Sequence, residues 1–122
     1  MSFESYLKIG KKTTEYTDVK RGRVSAIAFT KNGHIITKAH NQKTPGNKSQ
    51  WTIHAEENLL KKLIKINAFH RFGDIIILVM RFSSNGVSMA KPCMNCMKQL
   101  RKYNVSVFYT GEDGQILEIK DE

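Results

Sequence analysis

A chain of 122 residues, 40% hydrophobic and 25% charged, has the make-up of a soluble globular protein, with room for one domain over 1–122 and little for a second. Its longest apolar run, Ile75 to Met80, falls far short of the ~20 residues that cross a bilayer. Residues 1–6 lack a basic region followed by an apolar stretch, so neither a membrane partner nor a secretory leader is expected and the expected location is the cytoplasm. The formal charge of +9 is unevenly spread: residues 1–111 carry 19 bases and 6 acids, net +13. Such a field suits nucleic acid, nucleotides or an anionic surface, and equally a solvated Lys-rich surface.

Residues 2–9 suit a short helix, capped by Ser2, with Phe3, Tyr6 and Leu7 on one face and Gly10 as its end. Arg23 to Phe29 reads as a strand, Lys31-Asn32-Gly33 as a turn, and His34 to Lys38 as the antiparallel return. Residues 40–50 form a polar loop. From Thr52 the period becomes helical: Ala55, Leu59, Leu60, Leu63, Ile64 and Ile66 recur on one side up to about Ala68. Asp74 to Phe82 is apolar on both faces, the mark of a central strand covered above and below. Pro92 is placed to open a helix running to about Tyr103. Val105 to Thr110 and Gln115 to Lys120 are strands joined by Gly111-Glu112-Asp113-Gly114, a turn short enough to force an antiparallel pair. The order α-β-β-α-β-α-β-β implies one mixed sheet with helices on its faces.

The two cysteines, Cys93 and Cys96, cannot make a disulfide framework and leave a metal half-site, a redox pair or coincidence. The late position in the chain favours metal. His54 and Glu56 stand at the start of the second helix, as H-x-E. Cys93 and Cys96 stand at the start of the third, as P-C-x-x-C. Sulfurs at i and i+3 point the same way, so both can reach one cation. The positive ends of two helices should depress the thiol pKa. One imidazole and two thiolates make the three protein ligands of a catalytic zinc that keeps a position for water. Glu57 is explained by the helix dipole alone. The joint pattern is the signature of zinc-dependent nucleobase deaminases.

At these residues the sequence resembles the cytidine/deoxycytidylate deaminase superfamily, over most of the chain. The resemblance implies a three-layer α/β sandwich: a mixed five-stranded sheet with helices on both faces and its last two strands antiparallel. It implies zinc on His54, Cys93 and Cys96, Glu56 as catalytic proton shuttle, and the backbone N–H of Ala55 as donor to a base oxygen. Asn41 matches the family's asparagine that contacts the nucleoside sugar. A His as first ligand is similar to the deoxycytidylate, tRNA-adenosine and polynucleotide-editing branches. The resemblance also implies assembly into a homo-oligomer. Trp51, near Lys43 and Lys48, offers a ring on which a base can stack, though a position three residues before a helix equally suits a hydrophobic staple.

Two features depart from the family. Residues 83–91 lengthen the connection between the apolar strand and Pro92, and the final turn leaves no crossover helix of the kind the polynucleotide branches use. The expected activity is hydrolytic deamination, cytosine to uracil, in single-stranded nucleic acid. Free deoxycytidylate (a dCMP- or dCTP-type nucleotide) is the alternative substrate. A non-catalytic zinc-stabilised module that binds nucleic acid is the alternative of another class, and it has no use for Glu56.

Overall fold

A computed structural model describes residues 3–17, 22–43, 52–83, 86–103 and 105–119. Its centre is the strand β5 (Ile75–Ser83). Side chains alternate across a strand, and here both sets are apolar: Ile75, Ile77 and Val79 enter one buried layer, Leu78 and Met80 the other. β5 pairs antiparallel with β1 (Arg23–Thr30) on one side and parallel with β7 (Val105–Thr110) on the other. The main path of the sheet is β2-β1-β5-β7-β8, with β2 (Ile35–His40) and β8 (Ile116–Glu118) both antiparallel to their neighbours. The turn from β1 to β2 uses Gly33 at φ +87, a conformation open to glycine. The antiparallel last pair agrees with the short turn that joins it.

The expected five-stranded path gains a sixth strand. Residues beyond the sheet centre neither stop nor loop out: β5 runs on to Ser83, and β6 (Gly86–Ser88) folds back on Arg81–Ser83. The pairing of β7 with β5 ends at Val79, so β6 occupies the hydrogen-bonding edge that β7 has left.

Helices cover both faces. α2 (Ala55–Lys65) lays Leu59, Leu60 and Leu63 on Ala26, Ala28 and Ala39, whose short side chains let the helix come close. Fully burying each such leucine contributes about 1.5–3 kcal/mol. α4 (Met94–Leu100) adds Met97 and Leu100 to the same layer. On the opposite face α1 (Phe3–Thr13) places Tyr6 among Ile27, Phe29, Leu78 and Met80, with the Tyr6 and Phe29 rings stacked at 4.4 Å.

Several element bounds differ from the sequence expectation: α4 ends at Leu100 rather than about Tyr103, β2 runs on to His40, β8 covers only Ile116–Glu118, and Gln42–Lys43 of the expected polar loop form a strand. α1 passes through Gly10, because that glycine is where the helix rests on the sheet: a Cβ there would lie 2.5 Å from Met80 Cε and 2.8 Å from Ser25 Oγ. The long apolar periodicity divides at Asn67, in the left-handed region at φ 58, so a separate short helix, α3 (Ala68–Arg71), follows α2. Pro92 lies outside α4, since the cap falls on Cys93, whose sulfur accepts the Cys96 backbone N–H at 3.4 Å. The expected Ser2 cap lies outside the described residues.

A two-residue ladder sets up the site. β3 (Gln42–Lys43) pairs with β4 (Thr52–Ile53), which draws the end of β2 to the start of α2 and so brings Asn41 toward His54.

Candidate active site

His54 is the N-cap residue of α2, with extended backbone. Its backbone N–H donates to Glu57 Oε1 at 3.4 Å, so Glu57 serves the helix end as its position suggested. Cys93 caps α4, and Cys96 follows one turn later. The two helix starts meet: His54 Nδ1 lies 3.3 Å from Cys96 Sγ and 3.7 Å from Cys93 Sγ. The three donor atoms lie within 4.8 Å of one another.

These residues fit zinc. Bonds of ~2.0–2.3 Å at tetrahedral angles separate nitrogen and sulfur ligands by about 3.6 Å, which the two His54–sulfur separations bracket. One imidazole and two sulfurs are a borderline-soft donor set that suits zinc better than magnesium or calcium.

The expectation of a depressed thiol pKa does not hold for Cys96. Burial pushes this thiol far up, aided by a hydrogen bond with Cys93 and by the negative charge of Glu56. Ionisation of Cys96 is therefore coupled to the arrival of a cation that takes up its charge.

Glu56 points inward from the first turn of α2 and is 6% exposed. Burial raises its carboxyl above the ordinary carboxylate range, against opposing effects from its own backbone hydrogen bond, from His54 and from the Cys96 thiol. With His54, Ala55 and Cys93 it lines a cavity of about 170 Å³. Val24, Asn41, Arg81, Met89, Ala90 and Lys91 also line it.

The structure thus brings together His54, Ala55, Glu56, Cys93, Cys96 and Asn41. Asn41 is more tightly engaged than an ordinary loop residue: its Nδ2 donates to the Gly22 carbonyl, and its Oδ1 accepts from Val24 N and Thr17 Oγ1. Trp51 and Lys48 lie outside the described residues, and Lys43 sits on β3. Sequence reasoning missed Arg81 and Lys91. A signal was present for each, because Arg81 is the lone charge within an apolar strand and Lys91 immediately precedes Pro92-Cys93.

A mixed α/β sheet with an His-Cys-Cys metal group beside a buried carboxylate defines a zinc-dependent hydrolase. The family model for the cytidine and deoxycytidylate deaminase zinc-binding region matches residues 2–112, and the chain belongs to that family of deaminases. Solved structures agree in fold. Cytidine deaminase from Burkholderia pseudomallei superposes with a TM-score of 0.68 at 16% identity, covering 98% of this chain and 93% of that one. The dCMP deaminase of cyanophage S-TIM5, solved with dCMP and dUMP, gives 0.64 at 23% identity, covering 90% and 81%. Cytidine deaminase from Mycobacterium leprae gives 0.66 at 15% identity, covering 97% and 93%. Among curated proteins no sequence matches significantly. No helix among the described residues is long and apolar enough to cross a membrane.

Proposed function

We propose that the chain, as a single domain, converts cytosine to uracil on a free pyrimidine nucleotide. The observation that carries this reading is the placement of buried Glu56 beside the group of His54, Cys93 and Cys96, in a cavity that Glu56, His54 and Cys93 line together. Zinc held by those three residues supplies Lewis acidity, which brings the pKa of a bound water to ~7.

The remaining steps belong to the protein. Glu56 accepts a proton from the attacking water and delivers it to the ring nitrogen next to the amino-bearing carbon. The same carboxylate then moves a second proton to the departing ammonia, so that water and cytosine become ammonia and uracil. The backbone N–H of Ala55, in a first turn where no carbonyl precedes it within the helix, donates to the base oxygen. Asn41 lines the cavity in which the sugar would rest. Thiol ligands suit the reducing cytoplasm.

A free nucleotide is favoured over a polynucleotide by what surrounds the cavity. The adjoining cleft, which shares Arg81 and Met89 with it, also carries the carboxylate Glu112, an unfavourable neighbour for a run of phosphates. The final hairpin has no crossover helix. The second reading, cytosine in single-stranded nucleic acid, draws on the net +13 of residues 1–111.

The test is turnover of deoxycytidine, dCMP and a single-stranded oligonucleotide by zinc-loaded protein. The expected product is uracil on the nucleotide. Turnover of the oligonucleotide alone, with affinity falling steeply as salt rises, would promote the second reading. Turnover that survives unchanged in Glu56→Gln would reject the mechanism.

A further inference from the structure

We infer that Arg81 and Lys91 form the phosphate-binding element of this site and so select a cytosine nucleotide over a neutral nucleoside. This rests on the deaminase reading above. Both side chains are exposed, and both line the cavity that also holds Glu56, His54 and Cys93. Among the described residues neither has a hydrogen-bond or ion-pair partner for its side chain; the backbone N–H of Arg81, by contrast, donates to Thr110 Oγ1.

They come from different elements. Arg81 lies on the extension of β5 that β6 holds in place, and Lys91 on the connection into the Cys93 cap. β5, β6 and the connection that follows bring both residues to one cavity, and the last of these also presents Cys93. The Arg81 guanidinium also has a seat. It lies so close over Gly22 that a Cβ there would stand 2.7 Å from its Nη2 and 3.2 Å from its Cζ. Gly22 is in turn held by Asn41, whose Nδ2 donates to its carbonyl at 2.9 Å. The planar guanidinium can meet two oxygens of one phosphate, and Lys91 adds a point charge.

Two carboxylates bear on this element. Glu56 lines the cavity, where the base reacts, and Glu112 lines the cleft beyond Arg81. A chain continuing past Arg81 would meet Glu112.

The experiment compares deoxycytidine, dCMP and a single-stranded oligonucleotide with wild-type protein, Arg81→Ala, Arg81→Lys and Lys91→Ala. Turnover is one readout. Calorimetric binding of the same compounds to zinc-loaded Glu56→Gln protein, with and without the Arg81 change, is the other. Wild type should prefer dCMP, and Arg81→Ala should cut the ratio of kcat/KM for dCMP over deoxycytidine about 10- to 100-fold, the worth of a hydrogen bond to a charged group. The loss should lie in KM, and Arg81→Lys should recover part of it. An unchanged ratio, or an equal loss for both compounds, overturns the phosphate assignment while leaving the deaminase reading in place. Arg81-dependent binding of dCMP in a protein that deaminates none of the compounds upholds the assignment and refutes the deaminase reading. A preference for the oligonucleotide that Arg81→Ala abolishes, with no preference for dCMP, overturns the mononucleotide assignment.

Discussion

The carboxamide of Asn41 donates to the carbonyl of Gly22 at 2.9 Å and so ties the end of β2 to the segment that enters β1. Its Oδ1 accepts from Val24 N at 3.1 Å, its backbone N–H donates to Val24 O at 3.0 Å, and its own carbonyl accepts from the Thr17 hydroxyl. A residue that only touched a sugar would need none of these bonds.

Asn41→Ala should therefore reduce stability as well as activity. It leaves the part-buried Gly22 carbonyl and Val24 N–H without that partner, and a buried group left unpaired costs about 1–3 kcal/mol, the upper bound for each. The expected loss is about 2–4 kcal/mol by urea denaturation. A change below about 1 kcal/mol, together with a large rise in KM, would restrict Asn41 to contact with substrate.

Gly10→Ala should destabilise the protein, against the usual helical preference of about 1 kcal/mol for alanine. The new methyl group would meet the Met80 thioether and Ser25 Oγ at 2.5–2.8 Å. Met80 is fully buried, so its movement must disturb Ile27, Leu78 and Tyr6 around it. Overpacking of this kind costs about 1–3 kcal/mol. A double-mutant cycle with Met80→Val should show the two losses combining to less than their sum, because both act at one contact. Full additivity would place the clash elsewhere.

How much of this was legible in the sequence depended on whether a signal was local. β5 announced itself because alternate residues on both faces were apolar. The metal group did so because H-x-E and P-C-x-x-C each occupy one helix start, where backbone geometry alone aims the side chains. Gly10 misled, because a glycine that ends a helix and one that lets a helix touch a sheet look alike until the sheet is in place. Asn67 was hidden inside an apolar period that ran across it. Arg81 escaped notice because its place beside the cavity is set where β6 pairs with β5, beyond the point at which β7 ends.

Metal removal should separate the ligands from the rest of the site. Cys93→Ala and Cys96→Ala should each lose zinc by elemental analysis and melt earlier, since the energy of metal binding adds to that of folding. Loading of metal-free wild-type protein should release protons, because burial holds the Cys96 thiol far above its ordinary range and a thiol must ionise to bind. Apparent zinc affinity should then weaken as pH falls. Zinc at full occupancy in Cys93→Ala would sink the ligand assignment.

Glu56→Gln should part chemistry from structure. The amide has nearly the shape of the carboxyl, and the site is buried, so packing against Cys96 and the start of α2 is kept. Zinc content and melting temperature should stay close to wild type. What disappears is a group able to take a proton from water and return it to the ring nitrogen, a role worth about 10²–10⁴-fold in rate. Cytosine nucleotide should still bind, which makes this variant the one for measuring affinity without turnover. A comparable drop in zinc content would mean that Glu56 supports the metal group rather than the proton transfer. Near wild-type kcat would leave the proton to another residue. Among the described residues lining the cavity, Glu56 supplies the carboxylate and Lys91, His54 and Cys93 the other titratable groups apart from Arg81. Two of these three are committed to the metal, so Lys91→Ala is the variant that would then decide.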